Sequence, residues 1–367
     1  MGNVKSTPTD KENKHADIGN KNTRAIASGG VSNKRTGDDS DTLNEQDSEE
    51  DVSQYFIGTH EVLECLEGQG EADLNTNLAN CKKNPGHAGF IPINKLTLEH
   101  FPSGYHDNDL YELIKALADV TVRIAVKFTS LNRPEFVLGT KVPYPCFKGR
   151  GNNSLRTGTG RMWGVTKYIE GMDEIYGTYR TCPCPECDHS DTPCPVWWKV
   201  TVLTARHVVF DSSEAKQSSC RLWFDEDQSP VLNMYGWEVD ETYTEEDWCK
   251  MYCVTHDAEI GEKLVGMLRR FISLWGKVSI KYESRKEVDK LTVIVSHPHG
   301  CSKQVSVGHW VHKQEMYNTN ITRYTYTTCT CPGSSGAEVY RLGCSWSTHP
   351  HSGANSDGLN YSGVRWG

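Results

Sequence analysis

The chain has 367 residues, 37 % of them apolar, and a formal net charge of −9. That length allows one or two domains with tails, and the mild acidity argues against a general nucleic-acid binder. No stretch approaches the roughly 20 apolar residues that span a bilayer and no secretory leader is visible, so the 14 cysteines read as reduced thiols or metal ligands rather than a disulfide framework.

Residues 1–52 are almost wholly polar and are expected to be a disordered tail. The chain begins M-G-N-V-K-S, which places Gly2 and Ser6 where N-myristoylation requires them. One acyl chain holds a membrane only marginally, so a second signal is needed. Residues 1–35 supply it as seven basic side chains against three acids, suited to the inner leaflet of a cytoplasmic membrane. A solvated tail with a coincidental Met-Gly start is the alternative. Residues 36–51 then carry eight acids and no base, the pattern of a solvated spacer.

Residues 53–150 read as a small α/β accessory segment. H-E-V-L-E-C-L-E (60–67) suggests a short helix. A firmer one follows at 107–119, where Asp107 can cap the N-terminus and Leu110, Leu113, Ile114 and Leu117 share a face. Residues 120–128 alternate apolar and polar, a strand signature. No chemistry attaches to this segment.

From residue 151 to 367 short alternating runs are split by Gly, Pro and polar turns, the look of an all-β barrel or sandwich. T-C-P-C-P-E-C-D-H-S-D-T-P-C-P (181–195) interrupts them. Cys184-x-x-Cys187 has the spacing of a zinc knuckle, so Cys182, Cys184, Cys187 and Cys194 read as a structural zinc site in a hairpin loop, with Cys220, Cys249, Cys253 or Cys301 as substitute ligands and free thiols or a redox pair as the alternative. An alternating run then leads into T-A-R-H, ending at His207, and C-T-C-P-G-S-S-G-A-E-V-Y carries Ser335. Glycines on both sides of that serine allow a tight turn with inward N–H groups.

These two segments resemble the T-A-x-H and G-D-S-G-G loops of trypsin-like serine proteases. Residues 291–308 resemble the strand, P-x-G turn and strand that precede the nucleophile in HtrA-type and glutamyl endopeptidases, and 156–165 resemble their opening strand. The overall pattern is similar to cysteine-rich invertebrate relatives of this clan. The resemblance implies a mainly β, chymotrypsin-like double β-barrel with Ser335 as nucleophile and His207 as general base. It also implies an oxyanion hole from the N–H groups of Gly333 and Ser335. The family order His, Asp, Ser points to Asp257 as the acid, with Asp240 and Asp247 as rivals. The helical look of the segment after Asp257 departs from the family.

Two further stations follow from the resemblance. Ser334 stands where zymogens carry Asp, so the domain is expected to fold competent without processing. Thr330 and His351, with His349 as a competing choice, match the hydroxyl and imidazole that glutamyl endopeptidases and viral 3C-type proteases aim at an acidic or amide side chain. Preference for Glu or Gln before the scissile bond is therefore expected, and Glu45, Glu49 and Glu50 offer sites for self-release. The expected protein is a cytoplasmic, membrane-tethered serine endopeptidase acting on protein or peptide, with no cofactor for catalysis and no nucleic-acid partner. A catalytically silent, zinc-stabilised binding module on the same fold is the alternative.

Overall fold

The computed structural model describes residues 58–64, 74–243, 246–316, 321–344 and 348–366. The Gly2 motif, the basic excess and the acidic spacer, with Glu45, Glu49 and Glu50, lie outside the described residues. In chain order the strands are β1 (Gly58–His60), β2 (Leu63–Glu64), β3 (Ile91–Pro92), β4 (Thr121–Val126), β5 (Arg156–Ile169), β6 (Met172–Asp173), β7 (Val196–Thr204), β8 (Ser218–Leu222) and β9 (Leu232–Tyr243). They continue with β10 (Trp248–Thr255), β11 (Leu291–Ser296), β12 (Gln304–Met316), β13 (Ile321–Tyr326), β14 (Val339–Arg341), β15 (His351–Asn355), β16 (Asn360–Ser362) and β17 (Arg365–Trp366). The helices that matter here are α1 (Leu74–Ala79), α2 (Asn108–Asp119), α3 (Ser212–Ala215) and α4 (Ala258–Tyr282).

The first sheet runs β5-β4-β8-β9-β10-β7 and closes because β7 also pairs with β5. Closure removes the exposed edges that a flat sheet of these strands would present. Long β5 turns this corner through an irregularity between Met162 and Gly164. The second sheet runs β1-β15-β16-β13-β12-β11-β14, and a bridge between Glu338 and Pro350 brings β14 back against the chain entering β15. The chain thus adopts the expected mainly β, two-barrel architecture.

The pattern at 107–119 forms α2 with the Asp107 carboxylate accepting from Asp109 N–H, and Leu110, Leu113, Ile114 and Leu117 are all buried. α4, the helical departure noted after Asp257, buries Leu264, Phe271, Trp275 and Val278 in the same core as α2 and both sheets. Truncating any one of these large side chains to alanine would cost about 2–5 kcal/mol.

Two expectations are corrected. Residues 60–64 are extended and not helical, with β1 and β2 pairing with β15 and β5, while residues 65–67 lie outside the described residues. Residues 53–150 are not a separate segment either, since β4 is an integral strand of the first barrel between β5 and β8. All six of its residues are buried, because barrel interior lies on one face and the surrounding chain on the other. Among the described residues no helix is long and apolar enough to cross a membrane.

Candidate active site

His207 follows β7 in a helical turn tied by the Val208 and Val209 N–H groups to Ala205 O. Its position is fixed from below by a buried charge network. Arg133 donates through Nη2 to His207 O at 3.0 Å and to Glu214 Oε2 at 2.8 Å, and Arg156 Nη2 lies 2.8 Å from the same carboxylate oxygen. Burial pushes the Glu214 carboxyl up, but Arg133 and Arg156 outweigh that and hold it below the usual range.

The carboxylate on His207 is Asp247, not Asp257. His207 Nδ1 lies 2.8 Å from Asp247 Oδ2, and its backbone N–H donates to Asp247 Oδ1 at 3.1 Å. Ser352 Oγ donates to the same carboxylate. Although burial opposes ionisation of Asp247, His207, His60 and Ser352 hold its carboxyl far below the usual range. With Asp247 on Nδ1, the imidazole turns Nε2 towards Glu61 O, 3.3 Å away. Asp257 instead caps α4, accepting from Ile260 N–H at 3.0 Å. The rival Asp240 is spent on Lys250, 2.6 Å away.

The physical reason for the misassignment is that Asp247 stands at the start of the alternating run Trp248–Thr255, where a turn enters β10, whereas Asp257 stands at its end. Asp247 holds a φ of +50°, a left-handed conformation that aspartate tolerates better than most residues. An acid in a tight turn just before a strand was the available signal.

Ser335 projects from the loop between β13 and β14. Thr159 of β5 ties this loop to the first barrel: its N–H donates to Ser335 O and its hydroxyl to Gly333 O, both at 2.8 Å. Gly333 has a φ of +98°, and a Cβ there would stand 2.6 Å from His297 O, so only glycine fits. The N–H groups of Gly333 and Ser335 have no backbone acceptor among the described residues, which suits an oxyanion hole.

The chain's own residues 58–64 cross this site. Ser335 Oγ donates to Glu61 O, and His207 Nε2 lies 3.3 Å from that same oxygen. The Glu61 carboxylate enters a pocket where Thr330 Oγ1 donates to it at 3.0 Å, His351 Nε2 lies at 2.8 Å and Lys83 Nζ makes an ion pair. Burial pushes the Glu61 carboxyl up, but His351 and Lys83 bring it down to about 2. Thr330 and His351 are therefore together, around an acidic side chain. His349 lies elsewhere, its Nε2 3.0 Å from Thr322 Oγ1. Lys83 and Glu61 went unrecognised in the sequence, since both are single residues remote in the chain.

The cysteine loop gathers Cys182, Cys184 and Cys187 with His256, all four ligand atoms within 4.8 Å of one another. Cys194 is not among them; its backbone N–H points at Cys187 Sγ from 3.3 Å. The fourth donor comes from the end of β10, outside the loop, as separate elements commonly supply structural zinc.

No family model matches the sequence, and no curated protein is similar to it. Solved structures with a similar fold include the Rv3671c protease of M. tuberculosis in its inactive form, at 13 % identity over 70 % of this chain and 90 % of that one, with a TM-score of 0.34. The HtrA-type protease AlgW with a decapeptide is similar at 12 % identity over 69 % of this chain, TM-score 0.35, and this chain spans 63 % of its length.

Proposed function

We propose that the chain is a serine endopeptidase that cleaves after glutamate or glutamine. The observation that carries this reading is the convergence of Ser335 Oγ and His207 Nε2 on one backbone carbonyl while Asp247 holds the other imidazole nitrogen. In the reaction Ser335 Oγ attacks a peptide carbonyl and its proton passes to His207 Nε2. Asp247 stabilises the imidazolium, the N–H groups of Gly333 and Ser335 hold the oxyanion, and His207 protonates the leaving amine. Water then hydrolyses the acyl-enzyme by the same route. The catalytic set is thus His207, Asp247 and Ser335, with Asp247 replacing Asp257.

Thr330 and His351 supply specificity. An imidazole nitrogen and a hydroxyl together match a carboxylate or carboxamide, whose unpaired burial would be costly. Zinc held by Cys182, Cys184, Cys187 and His256 would act structurally, pinning the loop before β7. The second imidazole nitrogen of His256 lies 3.3 Å from Glu186 Oε2, an outer partner of the kind that orients metal-bound histidines. Gly2 is the proposed lipidation site of a cytoplasmic, membrane-tethered enzyme.

The test is labelling of the purified chain with a fluorophosphonate, together with turnover of a peptide library. Labelling of Ser335 that disappears in His207→Ala, with cleavage after Glu or Gln, is expected. An unlabelled, inactive wild type would favour the catalytically silent binding module, and cleavage only after Arg or Phe would reject the specificity.

A further inference from the structure

We propose that the bond between Glu61 and Val62 is a substrate of this domain in its own chain. The proposal rests on the endopeptidase reading above and extends it to a named bond. Segment 58–64 lies across the site as an extended peptide, with Glu61 O on Ser335 Oγ and His207 Nε2 and not yet on the Gly333 and Ser335 N–H groups. On one side β1 pairs antiparallel with β15, with Gly58, Thr59 and His60 opposite Asn355, Ala354 and Gly353. Glu61 N–H donates to Ser352 O at 3.1 Å. On the other side Leu63 and Glu64 pair with Thr157 and Arg156 of β5. Main-chain pairing holds the peptide and a side-chain pocket sets its register, the logic of strand addition.

Glu61 is the residue at the crossing. Its carbonyl faces Ser335 and His207 while its carboxylate fills the Thr330–His351 pocket. A strand serving only to cover the sheet would gain nothing by burying a carboxylate, which leaves water at a cost that its partners must offset. His60 packs against His207 with ring centroids 4.9 Å apart and the rings tilted by 52°, so the neighbouring side chain also touches the proposed base.

In the first step the Ser335 Oγ–Glu61 C bond forms and the hydroxyl proton moves to His207 Nε2. The C–N bond to Val62 then breaks as that proton passes to the Val62 nitrogen. Water adds to the acyl carbon as one of its protons passes to His207 Nε2, and the Ser335 Oγ–Glu61 C bond breaks as that proton returns to Ser335 Oγ. One water is consumed; Glu61 gains a terminal carboxylate and Val62 an amino terminus. The step is intramolecular, so its rate does not depend on protein concentration. It separates residues 1–61, with the proposed lipid anchor, from 62–367.

The full chain should be expressed as wild type, Ser335→Ala, Glu61→Lys and Glu61→Gln and followed by intact mass. Wild type and Glu61→Gln should yield a product beginning at Val62, with a half-time unchanged over a tenfold dilution. Ser335→Ala should stay at full length and Glu61→Lys should slow at least tenfold. A wild type that stays intact while labelling with fluorophosphonate and cleaving Glu peptides in trans overturns this proposal alone. A wild type that neither labels nor cleaves any peptide overturns the endopeptidase reading with it. A half-time that shortens with concentration overturns the intramolecular route.

A different observation carries a second proposal: we infer that Cys81, His87, His299 and Cys331 bind a zinc ion. Their four ligand atoms lie within 4.8 Å of one another. Cys81 Sγ and Cys331 Sγ are 3.6 Å apart, as are Cys331 Sγ and His87 Nε2. Zinc–sulfur bonds of about 2.3 Å in a tetrahedron put sulfurs about 3.8 Å apart. His299 is buried with neither ring nitrogen partnered among the described residues, an expense that a metal would remove. His87 and His299 hold positive φ values of 51° and 54°, strain that functional positions concentrate.

This ion would join the segment bearing Lys83 to the loop bearing Thr330 and Ser335, and so shape the side-chain pocket. Metal analysis of the purified full chain should find two equivalents of zinc, falling to one in Cys81→Ser and to one in Cys184→Ser. Cobalt-substituted wild type should show thiolate charge-transfer bands that lose intensity in both variants. A wild type with at most one equivalent, abolished by Cys184→Ser, overturns the site without relying on the folding of the Cys81 variant.

Discussion

His351 Nε2 lies 2.8 Å from Glu61 Oε2, across 290 residues of chain. On its far side His351 Nδ1 is 2.6 Å from the hydroxyl of Tyr326. Burial pulls the His351 pKa down, with Glu61 only partly opposing. The same hydroxyl donates to Tyr361 O at 3.2 Å, which fixes it beside the ring. This pair links specificity to a hydroxyl that no substrate touches.

Selectivity should follow from that chain of bonds. Thr330→Val removes a hydrogen bond to a charged group, worth about 1.5–3 kcal/mol, and should lower kcat/KM for Glu peptides by roughly 10–100-fold. Tyr326→Phe, a positioning change, should raise KM for Glu peptides and narrow the gap between Glu and Gln while leaving fluorophosphonate labelling intact. Equal loss for all peptides would assign Tyr326 a purely structural role.

Asp247→Asn should lower kcat by about 10⁴-fold with the fold retained, because the wrong imidazole tautomer is stabilised. Asp257→Asn should leave kcat unchanged, since asparagine caps a helix as well as aspartate; Asp257→Ala should cost about 1 kcal/mol of stability. Steady-state kinetics beside thermal melts separates the two acids, and a large kcat loss at Asp257 would overturn the assignment of Asp247.

Docking of residues 58–61 should weaken in acid. Burial brings the His60 pKa down from 6.5 to about 4, with Asp247 opposing and His207, Arg323 and Arg133 assisting. A base whose pKa is depressed when docked contributes fully above its free pKa. Its contribution is lost as pH falls from 6.5 towards 4, by up to about tenfold per pH unit. Glu61 is ionised throughout that window. Hydrogen exchange at residues 58–61 of Ser335→Ala should rise over this range, and His60→Gln should flatten the response.

Glu214 should be the costliest single carboxylate to remove. Glu214→Ala leaves Arg133 and Arg156 buried without their partner, a loss of about 3–5 kcal/mol. Because Arg133 also holds His207 O, the variant should melt earlier and label more slowly with fluorophosphonate. A melt within 0.5 kcal/mol of wild type, as surface substitutions typically give, would contradict this account.

Gly353→Val should expel the N-terminal segment. A Cβ at Gly353 would stand 2.0 Å from Thr59 O, closer than packed atoms approach. Full-length Gly353→Val, Ser335→Ala should expose residues 58–61 to an added protease while the melting temperature stays near that of Ser335→Ala.

The local sequence determined the parts that depend on neighbours in the chain. α2 was legible from its apolar spacing and cap, β5, β7, β11 and β12 from alternation and turn residues, and the Gly333–Ser335–Gly336 turn from glycine chemistry. Thr330 and His351 were singled out through the family resemblance, each lying near a local landmark. Asp247 was only a rival, and His256, Lys83 and Glu61 were not singled out, since nothing within a few residues of those three marks a role. Their partners lie tens to hundreds of residues away, and closure of the two sheets brings them together. The carboxylate beside His207, the histidine beside Cys182, Cys184 and Cys187, and the segment across Ser335 were decided by register: which residue of a strand or turn faces inward once β10 pairs with β7 and β1 with β15.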